Sequence, residues 1–328
     1  MSNPIFIARQ DTLDEKIIPA QLLNDYKLHG EYSFVFHTPE LWHKMCTHAY
    51  AANDQKVNGD ALEYVLTKAA PTGSYSLSNW MALLCDTAEQ AAQGLYAGIE
   101  TAGQLAQSSA AMAAVSNSET AMAAVSGSEM AMNSICSVKT ALRAFAASKH
   151  WNSTVKENST AMSVLAASET AMSVLADSAT ARTALMGSSY YGKYMQNDTM
   201  CIAKLVVGFA NLASAGYSSM AGVAADATAM NAVAASTTAM DALYARKKQM
   251  KGGSASKSGK FIILEISASN AFDTSKYGYV TLSDGSKPDW SSYLAKYAFF
   301  QKYPKYATYM RNDTDSDDYI YYFDITNP

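Results

Sequence analysis

The residues whose types could do chemistry lie outside the repetitive middle of the chain. HTPELWHKMCTH (37–48) brings His37, His43, Cys46 and His48 together, and His43 and Cys46, three apart, would share one face of a helix. Imidazole and thiolate are zinc ligands, so His43, Cys46 and His48 form the candidate metal set. No second ligand pair follows at zinc-finger spacing, and ordinary packing and surface histidines explain the stretch as simply. DTDSDD (313–318) puts Asp313, Asp315 and Asp317 at alternate positions, as in a calcium loop. The glycine such a loop needs at its sixth position is replaced by Asp318, and the flanks read as strands, which favours a solvated turn. YIYYFDIT (319–326) carries Tyr319, Tyr321 and Tyr322, whose rings could stack on sugars while nearby Asp groups hydrogen-bond to them; a small folded domain also uses Tyr as core. No P-loop, nucleophile elbow, GxGxxG or HExxH occurs. No set of groups can be given catalytic roles, so no enzymatic activity and no cofactor is expected.

The elements that must position these residues are written in the composition. Charged residues make up 16% of the 328, and the net charge is −4, so nothing electrostatic draws the chain to nucleic acid or an anionic membrane. The most apolar run, CIAKLVVGFA (201–210), is broken by Lys204 and too short to span a bilayer. The start lacks a basic segment followed by an apolar one, so no secretory signal is expected. The four cysteines, Cys46, Cys85, Cys136 and Cys201, have no CxxC spacing, which fits synthesis in a reducing cytoplasm.

From Ser109 the chain repeats every ten residues: SAAMAAVSNS, ETAMAAVSGS, EMAMNSICSV, KTALRAFAAS, KHWNSTVKEN, STAMSVLAAS, ETAMSVLADS and ATARTALMGS. KHWNSTVKEN keeps the count and loses most of the motif. A continuous helix would let the stripe drift, since ten residues at about 100° each end roughly 80° short of whole turns. A strand would put Met122 and Val125 on opposite faces. A helix broken once per decad keeps Ala121, Met122 and Val125 together. The predicted core is therefore Met122, Val125, Met132, Ile135, Phe145, Met162, Leu165, Met172, Leu175 and Leu185, with Val155 in the same slot. Ser108, Ser118, Ser128, Ser148, Asn158, Ser168, Ser178 and Ser188 read as N-caps, and Glu119, Glu129 and Glu169 favour the positive end of each helix. Asn117, Gly127, Asp177 and Gly187 tolerate the left-handed conformation and read as helix stops. Two-turn helices are too short to stand alone, so each must bury its stripe against neighbours or other chains.

The predicted organisation follows. Residues 1–79 form a small α+β attachment-like region, and 80–244 an Ala/Met-rich helical array. Within the array, decads occupy 109–188 and 217–243, with an aperiodic insert at 190–216. Residues 245–260 form a basic Gly/Ser linker, and 261–328 a Tyr-rich, β-rich domain. The fold class is mainly α, with β structure confined to the flanks.

The decads TAMAAVSGSE, TAMSVLAASE and TAMSVLADSA resemble the TAMxAVxxS repeats of tailed-bacteriophage virion proteins of tail-fibre type; the resemblance covers 108–243. It implies a non-enzymatic virion protein, made in the host cytoplasm, with a repeat shaft between an attachment end and an outer domain. Expected partners are further copies of the chain (a homo-oligomer, read as a trimer), other virion proteins and a host-surface glycan. Neither nucleic acid nor membrane insertion is expected. A capsid decoration or head-fibre protein shares the same logic, and a carbohydrate-binding module at 261–328 is the reading of a different class. Regularly spaced Thr could also form an ice-binding face, but here Thr alternates with Met.

Overall fold

The computed structural model describes residues 96, 98–99, 101–253, 255–267, 278–289, 294–314 and 318–328. The expectations for 1–79 fall outside them. The described residues divide into two compact units, one reaching Ala171 with Gly187–Tyr190 added, the other formed by Met172–Met186 and Tyr191–Pro328.

Each decad is a separate helix. They run α1 (Ala102–Gln107), α2 (Ser109–Asn117), α3 (Glu119–Gly127), α4 (Glu129–Ser137), α5 (Lys139–Ala146), α6 (Trp151–Thr154), α7 (Ser159–Ala167), α8 (Glu169–Asp177) and α9 (Ala179–Met186). The helix breaks at the capping residue. Ser118 is extended (φ −108°, ψ 125°), its backbone N–H donates to Val115 O at 3.1 Å, and its Oγ accepts from Ala121 N at 3.2 Å. One residue thus closes a helix and opens the next, satisfying an orphan group at both ends. Ser128, Asn158, Ser168 and Ser178 accept from Ala131, Ala161, Ala171 and Ala181 in the same way.

Two expectations about this punctuation are corrected. Asn117, Gly127, Asp177 and Gly187 are not left-handed; positive φ occurs instead at Asn211, Tyr297, Gly98, Gly253, Gly278 and Gly285. An extended cap already turns the chain, so a left-handed stop is not needed. Ser148 and Ser188 do not cap helices either. Each accepts the backbone N–H two residues on, and each hydroxyl donates to a carbonyl far back in the chain: Ser148 to Ser116 at 2.5 Å, Ser188 to Lys156 at 2.5 Å.

Those long-range bonds mark the higher-order repeat. In the first unit α4 packs on α1, α5 on α2, α6 on α3 and α7 on α4, each helix on the third before it. Three blocks of ten therefore make one coil, and the Met/Val stripes face each other inside it. Met122, Val125, Met132, Phe145, Val155, Met162, Leu165, Met172, Leu175 and Leu185 have no exposed surface, and Ile135 has 1%. Each such side chain contributes about 1.5–3 kcal/mol of burial. The partners that short helices require are found within the chain.

The decad count also continues further than expected. Between Ser188 and Asp198 lies α10 (Tyr191–Tyr194), matching α6 between Ser148 and Asn158. Asp198 Oδ1 then accepts from Cys201 N at 2.8 Å and opens α11 (Thr199–Phe209), whose Ile202 and Leu205 are buried in the Met and Val slots. Within 190–216 only the stretch after Phe209 leaves the count. Three more capped helices follow, α12 (Met220–Ala225), α13 (Ala227–Ala235) and α14 (Thr237–Tyr244), with α14 packed on α11.

The expected class, mainly α with a β-rich end beyond a linker, is overturned. The described residues combine fifteen helices with a five-stranded antiparallel sheet, an α+β arrangement. The sheet begins inside the stretch read as linker, with β1 (Lys248–Lys251) and β2 (Ala255–Ser267). It continues through β3 (Gly278–Leu282), the short α15 (Ala298–Lys302), β4 (Ala307–Asn312) and β5 (Tyr319–Asp324), in the order β1-β5-β2-β4-β3. Alternation along β2 decides the rest. Ile262 and Leu264, with Phe323 and Ile325, share one core with Val206, Val207, Met230, Val233, Met240 and Leu243 of the helices. Phe261 and Ile263, with Val280, Met310 and Ile320, form the core of the opposite face. Helical layer and sheet are one body because the sheet has an apolar face to cover, and the last decads cover it.

Candidate functional site

The candidate metal set His43, Cys46 and His48 lies outside the described residues, as do Asp315 and Asp317. Among the described residues no group of three or more His, Cys, Asp or Glu is placed to hold a metal. Asp313 is ion-paired to Arg311 at 2.5 Å. Glu119, His150 and Ser153 meet between decads, a grouping invisible in the sequence. Ser153 donates a hydrogen bond to the Glu119 carboxylate at 2.6 Å.

The three tyrosines of β5 separate according to strand alternation. Tyr322 points into the far core, 4% exposed, edge-on to Phe261 at 5.1 Å, and its hydroxyl accepts from Lys257 Nζ at 2.9 Å. It is a core residue. Tyr319 and Tyr321 point to the other face, half-buried, with their rings nearly parallel (23°) and 5.9 Å apart. Phe323, next on that face, is fully buried beneath the helices. The helical layer stops at Tyr244, the last residue of α14, so the face of β5 emerges from the core as Tyr321 and then Tyr319.

Tyr244 joins this edge to the interior. Its ring meets Tyr297 edge-on at 5.7 Å and Tyr321 at 6.4 Å, giving a row Tyr297–Tyr244–Tyr321–Tyr319 that runs from buried to half-buried. Two ammonium groups lie against the row. Lys247 Nζ is 4.0 Å from the Tyr244 centroid and 5.7 Å from Tyr321, while Lys296 Nζ is 4.3 Å from Tyr244 and 4.5 Å from Tyr297. Such contacts contribute about 0.5–1 kcal/mol each at exposed sites. Two carboxylates fix the phenols. Tyr244 donates to Glu265 Oε2 at 2.5 Å, and Tyr297 to Asp241 Oδ1 at 2.5 Å, where Lys296 also donates at 2.8 Å.

The electrostatics follow from these contacts. Burial first, and then the Glu265 carboxylate, push the Tyr244 phenol well above its ordinary range. Burial and Asp241 push Tyr297 up to about 12. The hydrogen bond from Lys296, then the one from Tyr297, hold Asp241 below the usual carboxylate range. Near neutral pH both phenols are donors and Asp241 is charged. The group offers flat apolar ring faces, an ammonium and a carboxylate, which suits binding rather than bond breaking. Sequence reading reached Tyr319 and Tyr321 but missed Tyr244, Lys247, Glu265, Lys296 and Tyr297. Lys247 was assigned to a linker, and only the pairing of Glu265 with Tyr321 across β2 and β5 brings the carboxylate to the row.

In comparison with known proteins, the chain matches no protein-family profile and no curated protein.

Proposed function

We propose that the chain is a non-enzymatic structural component of a bacteriophage virion, a tail fibre, whisker or tail accessory protein in which the decad array serves as a spacer. The observation that carries this reading is the coil of three decads in the first unit, in which α4 to α7 each rest on the third helix before and the stripe is buried within the chain. An array that supplies its own core grows by repetition, which suits a mechanical part. The likeness of TAMAAVSGSE and its neighbours to virion repeats supports the setting. Other virion proteins would be held through residues 1–79. Self-association as a trimer would use outer positions such as Ala113, Asn133 and Ser163, which are exposed, because the stripe residues are already covered. A head-fibre or capsid decoration role would use the same mechanics.

Mass spectrometry of purified virions, with gold-labelled antibody against the chain, tests the proposal. The chain should be found in mature particles and the gold at one fixed place on them. Its confinement to the infected-cell lysate, absent from particles, would defeat the virion reading. Gold on the head rather than the tail would replace the tail-fibre form with the capsid one.

A further inference from the structure

The tyrosine row at the end of the helical layer has the parts of a saccharide site, and one part is unused. Of the charged groups around the row, Lys296 is bound to Asp241, and Glu265 takes the Tyr244 hydroxyl on Oε2. The Lys247 side chain is exposed and touches only the faces of Tyr244 and Tyr321; among the described residues no carboxylate takes its ammonium. Glu265 Oε1 likewise has no donor among the described residues. Tyr319 and Tyr321, both half-buried, present two nearly parallel rings at the outer end of the row. The row is anchored, since its inner members Tyr244 and Tyr297 are tied by hydrogen bonds to Glu265 and Asp241.

We propose that Tyr319, Tyr321, Tyr244, Lys247 and Glu265 form a binding site for an acidic saccharide, a pyranose ring carrying a carboxylate. The ring's C–H face stacks on Tyr321 and Tyr319, its carboxylate pairs with Lys247, and a hydroxyl donates to Glu265 Oε1. The acidic class follows from Lys247, the cation of the row left without a carboxylate, and from the apolar flatness of the neighbouring rings. A phosphate-rich polymer is disfavoured, because one free cation beside two carboxylates makes a poor track for a polyanion. Tyr322, in the opposite core, takes no part. The proposal does not rest on the virion reading and would stand in a chain of any origin.

A glycan array carrying uronate- and sialate-bearing saccharides beside neutral ones, probed with the full chain, tests it. The best acidic ligand, followed by titration calorimetry, should lose about tenfold in affinity in Tyr321→Ala. Lys247→Gln, at an exposed position where folding is not at stake, should weaken the acidic ligand about fivefold and leave its methyl ester unchanged. Binding should weaken with added salt. Tyr279→Ala serves as control. Tyr279 and Tyr309 form a second ring pair on β3 and β4, 5.5 Å apart with Lys287 over Tyr279, so loss of binding there instead would move the site. Neutral saccharides bound as tightly as acidic ones, no acidic saccharide bound above the level of Tyr321→Ala, or Lys247→Gln with no effect would each overturn the proposal.

Discussion

Gly208→Ala sets two effects against each other, and the structure decides between them. Gly208 lies inside α11, where alanine is the better helix former by about 0.8–1 kcal/mol. A Cβ at that position, however, would lie 2.2 Å from the carbonyl oxygen of Ala176 on α8 and 2.8 Å from its carbonyl carbon. Both are backbone atoms of a packed helix, and optimal contact is about 3.5–4 Å, so α8 and α11 must move apart. Overpacking of this kind costs about 1–3 kcal/mol. A clash this close with backbone atoms takes the upper end of that range, about 3 kcal/mol, so after the propensity gain the net loss is about 2 kcal/mol. Gly222 in α12 and Gly103 in α1 are the internal controls, since their Cβ atoms would meet nothing nearer than 3.8 Å. Gly222→Ala and Gly103→Ala should therefore raise stability, by about 0.4–1 kcal/mol each. Thermal and urea melts of the three variants, followed by circular dichroism, make the comparison. A Gly208→Ala protein that melts at or above the parent would show that α8 and α11 do not meet as described.

Leu165→Ala, at a site with no exposure, should cost about 2–5 kcal/mol in urea melts. Ser118→Ala removes the hydroxyl that opens α3 and should cost about 1 kcal/mol, whereas Ser118→Asn should retain most of it. Cys136 and Cys201 are buried, and burial pushes the Cys136 thiol up to about 12 and raises Cys201 as well, so neither should react with a thiol reagent at mild pH until the chain is denatured. The Tyr297 and Tyr244 phenols are raised above their unfolded value of about 10. The stability they contribute is therefore complete below about pH 10 and lost as pH climbs through the folded values, about 12 for Tyr297. Ultraviolet titration of tyrosinate in the folded chain should show delayed ionisation that Glu265→Gln reduces.

The local grammar of the decad was readable from single residues. Ser118, Met122 and Val125 encode a cap, a stripe and a period that neither a strand nor a continuous helix can satisfy. The coil was not readable, because which helix meets which depends on the angle the chain takes at each extended cap. That angle belongs to the backbone, and no side chain reports it. The same gap hid the decad at 189–198, where Ser188, Met195 and Asp198 carry the pattern but Gly192 stands in the first apolar slot. The sheet failed for another reason. ARKKQMKGGSASKSGK has the composition of a linker, yet β1 and the start of β2 are recruited from it by pairing with β5 and β4. Strand pairing rewards partners distant in sequence and overrides local propensity. At the tyrosine row the period-two rule would have separated Tyr322 from Tyr319 and Tyr321, while Tyr244 and Glu265 required the fold.

A coil closed by three decads has a phase. Loss or duplication of ten residues within the first unit would move α7 from its seat on α4 and shift each later helix of that unit by one place in the coil. Loss or duplication of thirty would keep each helix of the first unit on a decad of the same phase. Tandem copying would therefore be filtered by geometry, with steps of three decads the ones that preserve the seats of the first unit.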